Sequence, residues 1–188
     1  MNGEFLAGLD GWESRGSVFT TGGSAALADD GEARSLLYQG MELEGGNYAF
    51  SFDFRNLLSA AVPPGAALDT FFATLYFSAS PELFDPEDLT GVSGFEALLD
   101  LDVNGPRLFA GEVGLSPAGS ELTRYTTDFT LAEPMTVFAV FDLVDLNGIN
   151  DDSLVLIDNV TLIPEPRHAA LVAAGVVLVM MVLYRRMG

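Results

Sequence analysis

The sequence predicts an all-β fold, a sandwich or barrel of short strands, followed by one apolar C-terminal helix. Three observations carry this expectation. Several runs alternate large apolar and small or polar residues with period two, as half-buried strands do. Turn signals such as Asp29-Asp30-Gly31 and Asn104-Gly105-Pro106 fall between them. Beyond Ile163 the pattern changes to a continuous apolar run.

Taken in order, Ser35–Leu43 reads as a strand entering a turn at Glu44-Gly45-Gly46-Asn47. Asn47–Phe54 follows, with Tyr48, Phe50, Phe52 and Phe54 on one face and Ala49, Ser51 and Asp53 on the other. Phe71–Ser78, Thr123–Leu131, Thr136–Leu143 and Ser153–Leu162 are further strands, rich in aromatic and β-branched residues. Val62-Pro63-Pro64-Gly65 is a loop. Glu82–Leu89, after Pro81, reads as a short helical turn, and Gly94–Leu99 as a turn or an edge strand. No internal repeat divides the stretch before Ile163, so residues 1–163 form one domain.

Charge and composition exclude whole classes of function. The chain has 188 residues, with 27 acidic residues against 8 basic ones and a formal net charge of −19. Every basic residue is arginine. Such a surface repels a phosphate backbone, so nucleic acid is not an expected partner. With 0 cysteines there is no disulfide, thiol nucleophile, zinc–thiolate site or iron–sulfur cluster. The only histidine is His168, beside the apolar run, so the domain holds no Ser-His-Asp triad. Paired carboxylates of glycosidase type are always available in so acidic a chain, and nothing singles one out. The expectation is therefore a protein that is not an enzyme.

The C-terminus has a definite order. Pro164-Glu165-Pro166-Arg167-His168 precedes Ala169–Tyr184, which carries no formal charge, and Arg185 and Arg186 close it. As a helix the apolar run is about 24 Å long, close to a bilayer core. The arginine pair stops transfer and keeps the last residues, 185–188, on the cytoplasmic side. Pro164 and Pro166 forbid a regular helix upstream, so residues 164–168 form an extended linker.

Pro164, Glu165 and Pro166, the helix Ala169–Tyr184 and the pair Arg185 and Arg186 together resemble the PEP-CTERM sorting signal. That resemblance implies recognition of Glu165 and its flanking prolines by an exosortase, a membrane-embedded cysteine transpeptidase. It implies a protein exported across the inner membrane of a Gram-negative bacterium, cut near the motif, and released or transferred to the cell surface or extracellular matrix. The opening residues Met1–Trp12 have neither the positive region nor the apolar core of a secretory leader. The expectation is that the natural start lies upstream.

A second resemblance spans the domain. Asn2–Trp12 (NGEFLAGLDGW), Tyr38–Asp53 and Ile157–Leu162 (IDNVTL) are similar to the opening, middle and closing strands of galactose-binding-like jelly rolls, among them carbohydrate-binding modules. This implies a jelly-roll β-sandwich whose first and last segments lie together, often beside a structural calcium ion. It also implies contact with extracellular polysaccharide as the alternative to a purely structural surface role. In such folds a tryptophan at the place of Trp12 packs against the sandwich. The acidic residue usual after the opening phenylalanine is replaced here by Leu6, and strand alternation would turn Glu4 to the opposite face, which leaves Asp158 as the ligand candidate at that site.

Read from the residues alone, the densest set of oxygen ligands is Asp142, Asp145, Asn147, Asn150, Asp151 and Asp152. Calcium takes six to eight such oxygens, so this loop is a candidate calcium site, with a solvated acidic loop as the alternative. Its spacing is not that of an EF-hand. Asp85, Glu87 and Asp88 read as surface charge. Tyr38, Tyr76 and Tyr125 are candidate stacking platforms for a sugar. Asn159-Val160-Thr161 matches a glycosylation sequon inside a strand.

Overall fold

A computed structural model describes residues 3–61, 64–80, 82, 84–119, 121–148 and 153–165. The strands are β1 (Glu13–Arg15), β2 (Ser17–Thr21), β3 (Ser24–Ala28), β4 (Arg34–Leu43), β5 (Gly46–Leu57), β6 (Thr70–Ser78), β7 (Gly94–Asp102), β8 (Gly105–Leu108), β9 (Glu112–Leu115), β10 (Thr123–Leu131), β11 (Met135–Val144) and β12 (Leu154–Pro164). They form two six-stranded antiparallel sheets. Sheet A has the order β1-β4-β11-β6-β7-β8, and sheet B the order β2-β3-β12-β5-β10-β9. The all-β sandwich expected from the alternating runs is the fold observed.

The core lies between the sheets. Sheet B contributes Tyr48, Phe50, Phe52 and Phe54 from β5, with Tyr125 and Phe129 from β10 and Val155 and Ile157 from β12. Sheet A contributes Leu37, Phe71, Leu75, Leu99, Val137 and Phe141. Rings from opposite sheets meet edge to face, with Phe52 and Phe141 centroids 4.9 Å apart. Trp12 closes one end, 5.4 Å from Phe5 and 5.9 Å from Phe141. It therefore packs against the sandwich as the jelly-roll resemblance implies.

Three local readings are corrected. First, residues 85–90 make no helix. Asp85 bridges to Thr90, and the Asp85 and Asp88 carboxylates accept from the Glu87 and Thr90 amides, so side chains turn the backbone and Pro86 interrupts any helical ladder. Second, Gly94–Leu99 belongs to β7, an interior strand of sheet A between β6 and β8. Third, the opening segment is a turn rather than a strand. Gly8 donates to the Phe5 carbonyl at 3.1 Å, and Phe5 has φ of +46°. Phe5 is buried while Glu4 and Leu6 are exposed, so Glu4 and Leu6 both point away from the core.

The first and last segments do lie together. The Val160 amide donates to the Gly3 carbonyl at 3.1 Å. A Cβ on Gly3 would sit 1.9 Å from the Val160 carbonyl oxygen, so only glycine fits there. Strand β12 runs further than the sequence suggests. Pro164 pairs with Tyr48, and the Glu165 amide donates to the Asn47 carbonyl at 2.9 Å. A proline is tolerated at that place because β3 pairs β12 only as far as Ile157, leaving the other side of the strand open.

Sheet B carries a buried polar knot on its outer face. Asp53, with 0% exposure, accepts from Arg124 Nε at 2.7 Å and a second guanidinium nitrogen at 2.9 Å, from Ser116 Oγ at 2.7 Å and from Asn159 Nδ2 at 2.8 Å. Asn159, at φ +49°, is part of a bulge in β12 between Asp158 and Thr161. Burial alone would raise the Asp53 pKa, but the bonds from Arg124, Ser116 and Asn159 outweigh it and hold the carboxyl below its ordinary range. Beside it, burial pushes Asp158 up.

Two outcomes follow from this knot. Asp53→Ala strands the half-buried Arg124 and destabilises the domain by about 3 kcal/mol in urea unfolding. The depressed Asp53 pKa contributes stability above the ordinary carboxylate range and loses it as pH falls through the folded value. Asp158 has the opposite sign: its contribution is present below its unfolded pKa and is lost as pH rises through the raised folded value. Asp158→Asn therefore raises Tm at neutral pH and leaves it unchanged in acid, which a pair of thermal melts measures.

Candidate functional site

The apolar pattern of β11 does not stop at the core. Val137, Ala139, Phe141 and Leu143 face inward, yet Phe138 and Val140, which point the other way, are also buried. They belong to a second cluster on the outer face of sheet A, with Leu36 and Tyr38 from β4, Tyr76 from β6 and Phe84 from the segment that follows β6. The Phe84 ring stacks on Phe138 at 3.8 Å and 14°. It also meets Tyr38 at 6.1 Å and Tyr76 at 5.9 Å.

Strand register turns this cluster into a row. Gly40 is opposite Phe138, Phe138 is opposite Tyr76, and Tyr76 is opposite Phe95. The row crosses four strands, three spacings of about 4.8 Å each. Tyr76 and Phe95 centroids are 6.1 Å apart. Phe95 is 64% exposed and Phe138 only 7%, so the row rises from a covered end to an open one. Gly40 makes room for it. A Cβ there would lie 2.6 Å from the Phe138 ring, which Phe84 pins from the other side.

Next to the covered end is a cleft of about 370 Å³. Its lining includes Glu13, Tyr38, Gln39, Glu42, Glu82 and Phe138. The Tyr38 hydroxyl donates to Glu13 Oε2 at 2.8 Å, and burial followed by that bond raises the Tyr38 pKa. Gln39 Nε2 donates to the Gly11 carbonyl at 2.7 Å, while its buried Oε1 accepts no bond from the described residues. Arg15 bonds to Asp85 at 3.3 Å and Glu87 at 2.9 Å, so these two carboxylates tie the segment bearing Phe84 to β1.

Of the residues singled out for calcium, the four described ones each have partners within the protein. Asp142, in β11, is held by Arg34 through contacts of 2.7 to 3.1 Å. Asp145 accepts from the Gly148 amide at 2.7 Å. Asn147 is buried against Asp69, its Nδ2 2.7 Å from Oδ2. Asp158 lies in the other sheet, where it accepts from Ser24 Oγ and from the Asn159 amide. Asn150, Asp151 and Asp152 lie outside the described residues. Among those described, no group of three or more acidic or histidine side chains is placed to hold a metal ion.

The other expectations divide similarly. Tyr125 is fully buried in the core, its hydroxyl donating to Ala110 and its pKa pushed up to about 12 by burial, so it is no platform. Tyr38 and Tyr76 belong to the outer cluster. The sequon's Asn159 amide is engaged by Asp53. Pro164 and Glu165 are described above, whereas Pro166, the run Ala169–Tyr184, Arg185 and Arg186 lie outside the described residues. No described helix is long and apolar enough to cross a membrane.

Sequence reasoning missed Phe84, Phe95, Phe138, Glu13 and Glu42. A signal for Phe138 was present. Met135–Val144 (MTVFAVFDLV) is nearly continuous in apolar residues, and a strand of that kind is covered on both faces.

No family model and no curated protein matches the chain. Solved structures do. The enzymatically active domain of bacteriophage CBA120 tailspike protein 4 matches with a TM-score of 0.54 and 13% identity, over 88% of this chain and 21% of that one. TmCBM61, solved in complex with β-1,4-galactotriose, matches with a TM-score of 0.52 and 12% identity, over 87% of this chain and 96% of that one. A family 16 carbohydrate-binding module matches with a TM-score of 0.50 and 15% identity, over 87% and 97%. The fold is thus that of carbohydrate-binding modules and related sandwiches.

Gly40→Val forces the pinned Phe138 ring aside. Overpacking of this kind costs about 1–3 kcal/mol. The expected result is a lower Tm together with loss of the ring-current shifts of the Phe84–Phe138 stack in the NMR spectrum.

Proposed function

We propose that this chain is a non-catalytic carbohydrate-binding protein that holds an extracellular polysaccharide across the outer face of sheet A. The observation that carries the reading is the cross-strand row Phe138, Tyr76 and Phe95, with a polar cleft at its covered end and an exposed ring at the other. Apolar sugar faces stack on aromatic rings, and neighbouring acceptors take the hydroxyls, so a row of rings flanked by Glu13 and Glu42 suits a sugar chain. The shared fold with carbohydrate-binding modules supports the same reading by analogy.

The C-terminal resemblance supports where the module works. In this proposal residues 1–163 are displayed outside, an exosortase-type enzyme reads Pro164, Glu165 and Pro166, and the run 169–184 holds the chain in the inner membrane until it is cut. The cell surface or matrix is the destination.

The test is calorimetric titration of the full-length chain in mild detergent with soluble neutral β-linked hexasaccharides of galactose, xylose and glucose. Saturable binding to at least one of them is expected. Phe95→Ala, an exposed position that folding does not need, weakens it by about ten-fold, the size of an aromatic contact's loss. Binding that Phe95→Ala leaves unchanged, or no binding to any polymer, overturns the assignment. Parallel runs with calcium and with chelator report on the loop Asp142–Asp152.

A further inference from the structure

Every described arginine but one is taken by a carboxylate. Arg15 pairs with Asp85 and Glu87, Arg34 with Asp142, Arg55 with Glu121 and Arg124 with Asp53. Arg107 makes no ion pair among the described residues, in a chain with 27 acidic residues against 8 basic ones. A carboxylate nevertheless stands opposite it. Asp100 of β7 is in register with Arg107 of β8, the arrangement that ordinarily joins opposite charges across a ladder. The guanidinium instead lies over the Phe109 ring, 5.3 Å from its centroid. The Phe109 and Ala110 amides both donate to the Leu98 carbonyl, at 3.0 and 3.3 Å, which fixes the backbone under that ring. Asp102, the next carboxylate, is turned into the β7–β8 hairpin, where it accepts from the Asn104 amide at 2.6 Å. Arg107 is exposed, and no described residue accepts a hydrogen bond from its fork of donors.

Register places Arg107 on the face that carries the aromatic row. Asp142 is opposite Phe72, Phe72 opposite Asp100, and Asp100 opposite Arg107. Alternation puts Asp142 and Phe72 on the same face as Phe138 and Tyr76, four residues away along β11 and β6. Arg107 therefore stands one strand beyond Phe95, at the open side of the face. The cleft with Glu13 and Glu42 is at the other side. Four strand spacings separate β4 from β8, roughly 19 Å in all. Exposed charges are screened beyond about 8 Å at physiological salt. Each end of the face thus presents its own charge to a ligand lying across it. The Glu end takes hydroxyls. The other end holds a planar guanidinium, backed by a ring and left without a carboxylate, which suits a planar anion.

We propose that the polysaccharide held on sheet A is acidic, and that Arg107 binds a uronate carboxylate of it at the Phe95 end of the face. This rests on the reading of sheet A as the sugar-binding face. It adds the chemical class of the ligand and names Arg107 as the specificity residue.

The experiment is calorimetric titration of the full-length chain in mild detergent at physiological salt. It compares the xylose, glucose and galactose hexamers, each plain and carrying one glucuronate at either end. A chain of net charge −19 repels an added anion, so a preference for the acidic form has a local source. At least one hexamer is expected to bind about ten-fold more tightly with its glucuronate, the size of a charge-assisted hydrogen bond. Arg107→Gln abolishes that gain, and with no ion pair to break the fold tolerates it. Arg55→Gln, which removes the same charge from the outer face of sheet B, keeps the gain. Glucuronate that tightens none of the hexamers overturns the proposal, although the sugar-binding face would then stand. So does a gain that survives Arg107→Gln or is lost equally in both variants. No binding by any hexamer, plain or acidic, overturns both.

Discussion

Strand β11 is apolar on both faces, and the rest of the structure depends on it. It lies third in sheet A, between β4 and β6. Its inward residues Val137, Ala139 and Phe141 anchor the core shared with sheet B. Its outward residues Phe138 and Val140 would expose a broad apolar strip if nothing lay on them. Burying a phenylalanine is worth about 1.5–3 kcal/mol, so the chain gains by folding the Phe84 segment back over the sheet. The outer aromatic row is thus a consequence of how the central strand is packed.

Sheet B solves the opposite problem. Its outer face is polar, and the fully buried charge there, Asp53, is surrounded by donors from Arg124, Ser116 and Asn159. The bulge in β12 brings the Asn159 amide into that set, and Val160, just beyond it, meets Gly3. One irregularity thereby ties the last strand to the opening segment and to the β10 side of the sheet. The two outer faces differ in kind: one is a satisfied polar surface, the other an aromatic surface with an exposed end.

The parts of this arrangement that were legible in the sequence are those with strong period. Thr123–Leu131 coincides with β10, and the alternation of Tyr48, Phe50, Phe52 and Phe54 reads directly as a core face. Strand β3 was not legible, because Ser-Ala-Ala-Leu-Ala has low strand preference; packing between β2 and β12 makes it a strand. The short edge strands β8 and β9 have no period to read. Density of acidic residues suggested the loop from Asp142 as a site, but the fold commits Asp142 to Arg34 and Asn147 to Asp69, partners 108 and 78 positions away in sequence. Phe84 joins the outer cluster through a segment whose turn chemistry reads as helical until Pro86 and the Asp85–Thr90 bridge are in view.

The central claim is that ligand meets this protein on the outer face of sheet A. Chemical-shift mapping of the aromatic side chains during titration with sugar oligomers tests it most directly. Saturable shifts confined to Tyr38, Tyr76, Phe84, Phe95 and Phe138 are the predicted result. Shifts that instead cluster around Arg55, Arg124 and Leu156 on sheet B, with the aromatic row unmoved, would contradict it.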